Sequence, residues 1–443
     1  MTLPESLAWL DSHLDHESSS AGIAAGHVAG LGLGGMAELS SLLADPQHDV
    51  PVIHITGTNG KGSVAAMVTS LLQAHGLSVG TYTSPHLERV NERMRRDGEP
   101  IGDDDLAEVL DGLRAVESLM SVRPTWFELV TAAAFRWFAE APVDIAVVEV
   151  GLLGRFDATN VVDARVAVVT GIGGDHTDFR PGWEQAVAGE KAGIITATST
   201  AVLGRMEHTL RSVFQAEGPE RLWAEDVDFE VLADRAAIGG RMVELSGVLG
   251  RYDEVFLPLH GSHQAHNAAV AVAATEAFFD RALEPELVRD GLAMVRLQGR
   301  CEVVAHQPLV ILDAAHNPDA LRALAATVED EFAAAGSRIV VLGMLAGRDP
   351  DAAVAAVAEL RPDVVVCTTA DGGDRGLAAA DVAASCGRAG LAHDTVPDPV
   401  DAVVRAMTMA QEEDLVVITG SFRLLGPARA AVTALLGDRG SDG

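Results

Sequence analysis

Between the apolar run Val52-Ile53-His54-Ile55 and a helical pattern starting near residue 62 lies the octapeptide Thr56-Gly57-Thr58-Asn59-Gly60-Lys61-Gly62-Ser63. Few folds admit such a junction. Its layout is that of a loop that grips a polyphosphate. Glycines let backbone N–H groups converge on the anion, a lysine neutralises charge, and a hydroxyl can ligate Mg²⁺. The spacing from Gly57 to Gly60-Lys61 is shorter than in the common G-x-x-x-x-G-K-[ST] form, and Gly62 separates Lys61 from Ser63. Val64, Val68, Leu71 and Leu72 then mark one helical face, and Gly76 stands where a helix stops. An ordinary glycine turn between strand and helix needs no lysine at that place, so the loop implies ATP or a close relative.

A chain of 443 residues exceeds one typical core, so two domains are expected. The formal charge of −32 argues against nucleic acid and against anionic membrane surfaces as partners. It also means that Lys61, arginines and Mg²⁺ must build a positive cleft in a negative protein. Cys301, Cys367 and Cys386 lack metal-ligand spacing and read as small core residues of a reduced protein. No apolar run reaches membrane-spanning length, and Glu5, Asp11, Asp15 and Glu17 exclude a basic-then-apolar leader. A cytoplasmic location is expected.

Residues 1–50 open with a short helical pattern, followed by a Gly/Ala/Ser-rich loop over about 18–35. Strands are then predicted at 52–56, 78–83, 144–150 and 165–171, and helices at 62–75, 103–119 and 125–140. This alternation indicates a mainly parallel sheet covered on both faces. Short β-like pieces occupy 240–258, and an alanine-rich helix begins near His263. A second alternation has strands at Leu309–Leu312, Ile339–Leu342, Val364–Cys367 and Leu415–Thr419 and no glycine fingerprint of its own. The expected fold is α/β: a central domain with a parallel sheet and phosphate loop (1–296), then a smaller Rossmann-like domain (297–443), with the boundary near 295–300.

Ligands of open α/β sheets gather at the carboxyl ends of the strands. Ser84, Glu149 and the pair Asp175-His176 all follow predicted strands. Together they suit Mg²⁺ or Mn²⁺, although singly each has a plainer reading: a turn serine, an ion-paired acid, a loop histidine. Lys191, among small and apolar residues, is either a snorkelling surface group or a functional amine of lowered pKa. Asp313 ends an apolar strand and His316 sits in the turn before a helix that Asn317 can cap, positions suited to a ribose and a phosphate.

These pieces occur in an order that resembles the folylpolyglutamate synthase/dihydrofolate synthase family of the Mur ligase superfamily. The likeness runs through Thr56–Ser63, Thr83-Ser84-Pro85-His86-Leu87 with Asn91-Glu92-Arg93, Thr125-Trp126-Phe127-Glu128, and Glu149-Val150-Gly151 with Asp157-Ala158-Thr159-Asn160. It continues in Asp175-His176, Glu190-Lys191-Ala192-Gly193, Gly261-Ser262-His263-Gln264 with Asn267, Gly299-Arg300, Asp313 with His316-Asn317-Pro318, and Gly420-Ser421.

The resemblance implies an ATP-dependent ligase that adds L-glutamate to dihydropteroate, to a reduced folate, or to both, acting as a monomer on small molecules. Thr58, Asn59, Gly60, Lys61 and Gly62 would hold the phosphates with Ser63 beside them. Ser84 and Glu149 would ligate one Mg²⁺ and His176 a second, with Mn²⁺ as a substitute. Lys191 corresponds to a carbamylated lysine, and Lys61, Lys191 and His316 form the catalytic set. Asn267 and Arg300 would contact the nucleotide, Asp313 its ribose and His316 its phosphates. Thr125, Phe127, Arg155 and Asp157 would border the pterin pocket. ATP would lie between two domains that close over an acyl phosphate.

The chain departs from the family pattern in places. Leu153 stands where a glycine is expected, Gly174 replaces an apolar residue, Gln298 a proline and Arg348 a lysine, and no arginine occurs in Leu31–Met36. Three rivals are weighed. A ligase of nucleotide-linked peptidoglycan precursors would be expected to carry a whole uridine-nucleotide domain ahead of Thr56. A non-catalytic nucleotide-binding paralogue would be expected to lack Lys61, Glu149, His176 or Lys191. A P-loop kinase leaves Asp313 and His316 unexplained.

Overall fold

A computed structural model describes residues 2–15, 25, 32–175, 177, 179–332, 336–370 and 375–439. The chain divides into two compact units, Met1–Arg235 with Met242–Pro258 and Gln264–Val295, and Ala236–Arg241 with Leu259–His263 and Arg296–Gly443.

Among the described residues the first unit is built on an eight-stranded sheet. Its strands are β1 (Val52–Thr56), β2 (Val79–Tyr82), β3 (Met94–Arg96), β4 (Glu99–Pro100), β5 (Ile145–Glu149), β6 (Ala164–Val169), β7 (Thr200–Leu203) and β8 (Arg221–Ala224). They lie in the order β4-β3-β2-β5-β1-β6-β7-β8. From β2 to β8 neighbours are parallel, and β3 and β4 add an antiparallel edge. A parallel sheet with helices on both faces buries its central strands completely, which is why β1 and β5 read as near-continuous apolar runs. A three-stranded sheet follows, β11-β10-β9, from β9 (Glu230–Ala237), β10 (Gly240–Ser246) and β11 (Arg251–Leu257).

The second sheet uses β12 (Glu302–His306), β13 (Leu309–Leu312), β14 (Arg338–Met344), β15 (Val364–Thr369), β16 (His393–Thr395) and β17 (Leu415–Thr419), ordered β12-β13-β17-β14-β15-β16. Only β12 is antiparallel to its neighbour.

The four strands expected in this half are present, but β12 is a short edge strand and the three-residue β16 has no apolar residue to announce it. β7, β8 and β9 were likewise not foreseen. Nor was the helix Trp183–Ala192, whose apolar residues are mostly alanines. At the N-terminus, Gly34–Leu42 is a helix, so the loop expected over 18–35 ends sooner. Most of that segment lies outside the described residues. All three cysteines are buried, Cys367 and Cys386 with sulfurs 3.7 Å apart. No helix among the described residues is long and apolar enough to cross a membrane.

Candidate active site

The phosphate loop leaves the carboxyl end of β1, flanked by β5 and β6, where Ile55 registers with Glu149 and Thr56 with Val169. Gly57 has φ of +151°, and a Cβ there would lie 1.8 Å from Thr170 Oγ1. Gly60 has φ of +86°, and a Cβ there would meet Asn267 Oδ1 at 2.5 Å. Only glycine fits either place, for its backbone freedom and for the space. Asn267, far along the chain in the helix Ser262–Phe279, is thereby set against the loop, its Nδ2 donating to Gln264 Oε1 at 2.9 Å. Thr58 ties the loop to the segment after β6: its Oγ1 donates to Gly173 O (3.2 Å) and accepts from Gly173 N (2.9 Å). Thr170 Oγ1 donates to Asn59 O at 2.5 Å.

Lys61 opens the helix Lys61–Ala74 and folds back, its Nζ donating to Gly57 O at 3.1 Å and Thr58 O at 3.4 Å. Lys191 Nζ donates to the same Gly57 carbonyl at 2.8 Å. Of the two readings open for Lys191, the surface one falls, since the side chain is buried. Burial first, then the charge of Lys61, brings its pKa down from 10.5 to about 7, against the pull of Asp175 and Asp157.

Glu149, buried at the end of β5, accepts from Ser84 N at 3.1 Å. A Cβ on Gly62 would stand 3.5 Å from its Oε2. A carboxylate is thus held at a helix N-terminus, where the macrodipole favours negative charge. Ser63 is buried in the same first turn. His176 lies outside the described residues; its neighbour Asp175 is buried.

A second group surrounds the turn Gly151–Asn160. Thr125 caps the helix Trp126–Glu140, accepting from Glu128 N at 3.2 Å. Phe127 lies with its ring against Gly151 and tilted 38° to Tyr82. Arg155 donates to Gly189 O at 2.9 Å and pairs with Glu217, bracing the helix that carries Lys191. Asp157, expected at the border of the pterin pocket, is buried and commits both carboxylate oxygens to its own turn. Its Oδ2 accepts from Leu152 N (2.7 Å) and its Oδ1 from Thr159 N (3.0 Å) and Thr159 Oγ1 (2.5 Å). Burial raises its pKa, opposed by those donors. It holds the turn. Leu153, where a glycine was expected, adopts φ of +57°, the left-handed conformation that explains the preference for glycine.

In the second unit, Asp313 follows β13 and accepts from Cys301 N and Ala315 N, each at 2.7 Å. Burial raises its pKa, with the charge of Arg300 opposing. The Arg300 guanidinium sits 4.4 Å over the Phe422 ring. His316 places Nδ1 2.9 Å from Ala314 O, so that nitrogen carries the proton and Nε2 faces away from the carbonyl. Asn317 caps the helix Pro318–Glu331, accepting from Ala320 N at 2.9 Å. Each unit therefore assembles its own share of the expected residues: Lys61, Ser84, Glu149, Lys191 and Asn267 in one, and Arg300, Asp313 and His316 in the other.

His54 and Thr56 were read only as members of the apolar run and of the phosphate loop, and their burial side by side as polar groups was not foreseen. The available signal was their spacing on one face of an otherwise apolar central strand.

Residues 55–275 match the Mur ligase middle domain, and 299–422 the Mur ligase glutamate ligase domain. The dihydrofolate synthase/folylpolyglutamate synthase of Mycobacterium tuberculosis is 42% identical over 76% of this chain and 74% of its own. The M. tuberculosis folylpolyglutamate synthase solved with ADP superposes with a TM-score of 0.88 at 38% identity, covering 97% of both chains. A bifunctional folylpolyglutamate synthase/dihydrofolate synthase solved with Mn, AMPPNP and L-glutamate gives 0.84 at 30% identity over 98% of both. Sequence and fold agree, and the chain belongs to the dihydrofolate synthase/folylpolyglutamate synthase family.

Proposed function

We propose that this protein uses ATP to activate the carboxylate of dihydropteroate or a reduced folate and joins it to L-glutamate. The observation that carries this reading is the meeting of Lys61 and Lys191 on one loop carbonyl, with Glu149 beside the same helix start. A carboxylate is a poor acyl donor. Its oxygen first attacks the γ-phosphorus and ADP departs; the neutral amine of glutamate then attacks the acyl phosphate, releasing phosphate and a proton. Phosphoryl transfer asks mainly for positioning and charge neutralisation.

The backbone of Thr58–Ser63 and Lys61 hold the phosphates, and Asn267 and Arg300 the nucleotide. Asp313 meets the ribose and His316 the terminal phosphates. Thr125, Phe127 and Arg155 border the pterin, on a wall that Asp157 shapes. The protein acts as a monomer in the cytoplasm.

Among the described residues no three His, Cys, Asp or Glu side chains gather into a metal cage. Mg²⁺ needs no such cage, since it prefers one or two protein oxygens together with phosphates and water. Glu149 and Ser84 would hold one ion and His176 a second, with Mn²⁺ able to replace them. Such ions supply Lewis-acid stabilisation of phosphate charge. Lys191 suits carbamylation, because an amine with a pKa of about 7 is substantially neutral near pH 7 and can add CO₂.

The test is ADP release with Mg²⁺, ATP and glutamate, comparing dihydropteroate with tetrahydrofolate. Release is expected only with a pterin acceptor; release with one acceptor identifies a single activity, and release with each identifies both. Equal release without any pterin would make the protein a plain ATPase and end this reading.

A further inference from the structure

A strand buried on both faces is ordinarily apolar throughout. β1 is not: His54 and Thr56, two residues apart and so on one face, are both fully buried. Both reach the same segment. Thr56 Oγ1 donates to Leu153 O at 2.6 Å, and His54 Nε2 lies 2.8 Å from Thr159 Oγ1. Thr159 Oγ1 in turn donates to Asp157 Oδ1 at 2.5 Å.

The direction of the protons follows from counting donors. Asp157 already accepts two backbone N–H groups, from Leu152 and Thr159, so it acts as a carboxylate and takes the Thr159 hydroxyl proton. Thr159 has no second proton, so its oxygen must accept from His54, which fixes the proton on Nε2. His54 Nδ1 then carries only a lone pair, and it is indeed a buried nitrogen with no partner. The reverse order would put an unsatisfied N–H there, the costlier arrangement. Burial lowers the His54 pKa to about 3, which keeps the ring neutral.

We propose that His54, Thr159 and Asp157 form a one-way hydrogen-bonded seam that, with Thr56, fastens the Gly151–Asn160 turn to the strand carrying the phosphate loop. His54 is thus a positioning residue: it touches neither nucleotide nor acceptor, but holds the acceptor wall in register with the loop that presents the γ-phosphate. A misplacement of the order of 1 Å between reacting groups is enough to slow such a reaction. The inference rests on the proposal that this turn borders the acceptor.

The experiment uses the full chain and four readouts: KM for the pterin acceptor, KM for ATP, thermal melting, and ¹⁵N-histidine NMR, with the His54 signal assigned through His54→Gln. Thr159→Val keeps shape and removes the hydroxyl. It is expected to raise the acceptor KM about 10-fold, the worth of a hydrogen bond to a charged group, while the ATP KM stays within about 2-fold. Thr159→Ser is expected to restore the acceptor KM. In the wild type, His54 is expected to show an Nε2–H tautomer that does not titrate between about pH 5 and 8. An unchanged acceptor KM in Thr159→Val, an equal rise for ATP, failure of serine to rescue, or an Nδ1–H or titrating His54 each overturns the seam. Phe127→Ala is the control for the pocket. If it leaves the acceptor KM unaltered, the pocket reading fails, and the NMR result alone then decides whether the seam exists.

Discussion

Replacing Lys191 with methionine is expected to make the protein more stable and inactive at once. The amine is buried, and its pKa falls from 10.5 to about 7. A folded-state pKa below the unfolded one means that the fold disfavours the charged form. The penalty is complete below about pH 7 and lifts as pH rises towards 10.5. A drop of about 3.5 units at about 1.36 kcal/mol per unit sets an upper bound near 5 kcal/mol. Methionine also forfeits the hydrogen bond to Gly57 O, worth about 1.5–3 kcal/mol from a charged donor. The expected net gain near pH 6 is therefore about 2–3 kcal/mol, disappearing by about pH 10.

Urea unfolding followed by tryptophan fluorescence measures this directly. Trp9, Trp126, Trp137, Trp183 and Trp223 all belong to the unit that holds Lys191. Buffers free of metal, nucleotide and CO₂ keep the amine unmodified. Wild-type stability should climb relative to the variant across about pH 7–10, by at most about 1.4 kcal/mol per unit. A difference that stays flat with pH, or a variant less stable at pH 6, would refute the buried-amine argument.

Three further outcomes are expected. Lys61→Met should reduce kcat by about 10²–10³-fold in the ADP-release assay, the loss typical of one preorganised charge-stabilising group; a rate within a few-fold of wild type would remove Lys61 from the phosphate site. Glu149→Gln should raise the Mg²⁺ concentration needed for half-maximal rate while leaving metal-free melting nearly unchanged, whereas gross unfolding would mark Glu149 as a structural acid. Leu153 is buried yet left-handed, so Leu153→Ala should cost about 2–5 kcal/mol through lost packing. Leu153→Gly, though smaller, should cost about 1 kcal/mol less than alanine in urea titrations, because the strain is relieved. The usual order, alanine milder than glycine, would disprove the strain.

Much of the site was legible because its signals are local. The glycines of the phosphate loop, the lysine after Gly60 and the apolar run of β1 are contiguous, and backbone sterics and charge make such a stretch interpretable without its surroundings. Strand-end positions such as Glu149 and Asp313 follow from the same logic, since a parallel sheet delivers the residue after each apolar run to one edge. Apolar runs likewise announced β1, β2, β5 and β6 in the first sheet and β13, β14, β15 and β17 in the second, while short β7, β8, β12 and β16 went unforeseen.

Other features depend on what lies opposite in space. Whether Lys191 was a solvated side chain or a buried amine turned on the packing of Trp183–Ala192, and no property of residues 183–192 alone reports the Gly57 carbonyl waiting for it. Asp157 stands in a family-like motif, yet the motif does not report that the donors of Leu152 and Thr159 occupy its carboxylate. Asn267 meets Gly60 only because helix Ser262–Phe279 comes to rest on the loop. The chain by itself determined the alternation of strands and helices, the phosphate loop and the family, since these are written in periodicity and in contiguous motifs. Tertiary structure alone decided which polar groups are buried and which partner each one meets, because desolvation and hydrogen bonding depend on neighbours brought together from distant parts of the sequence.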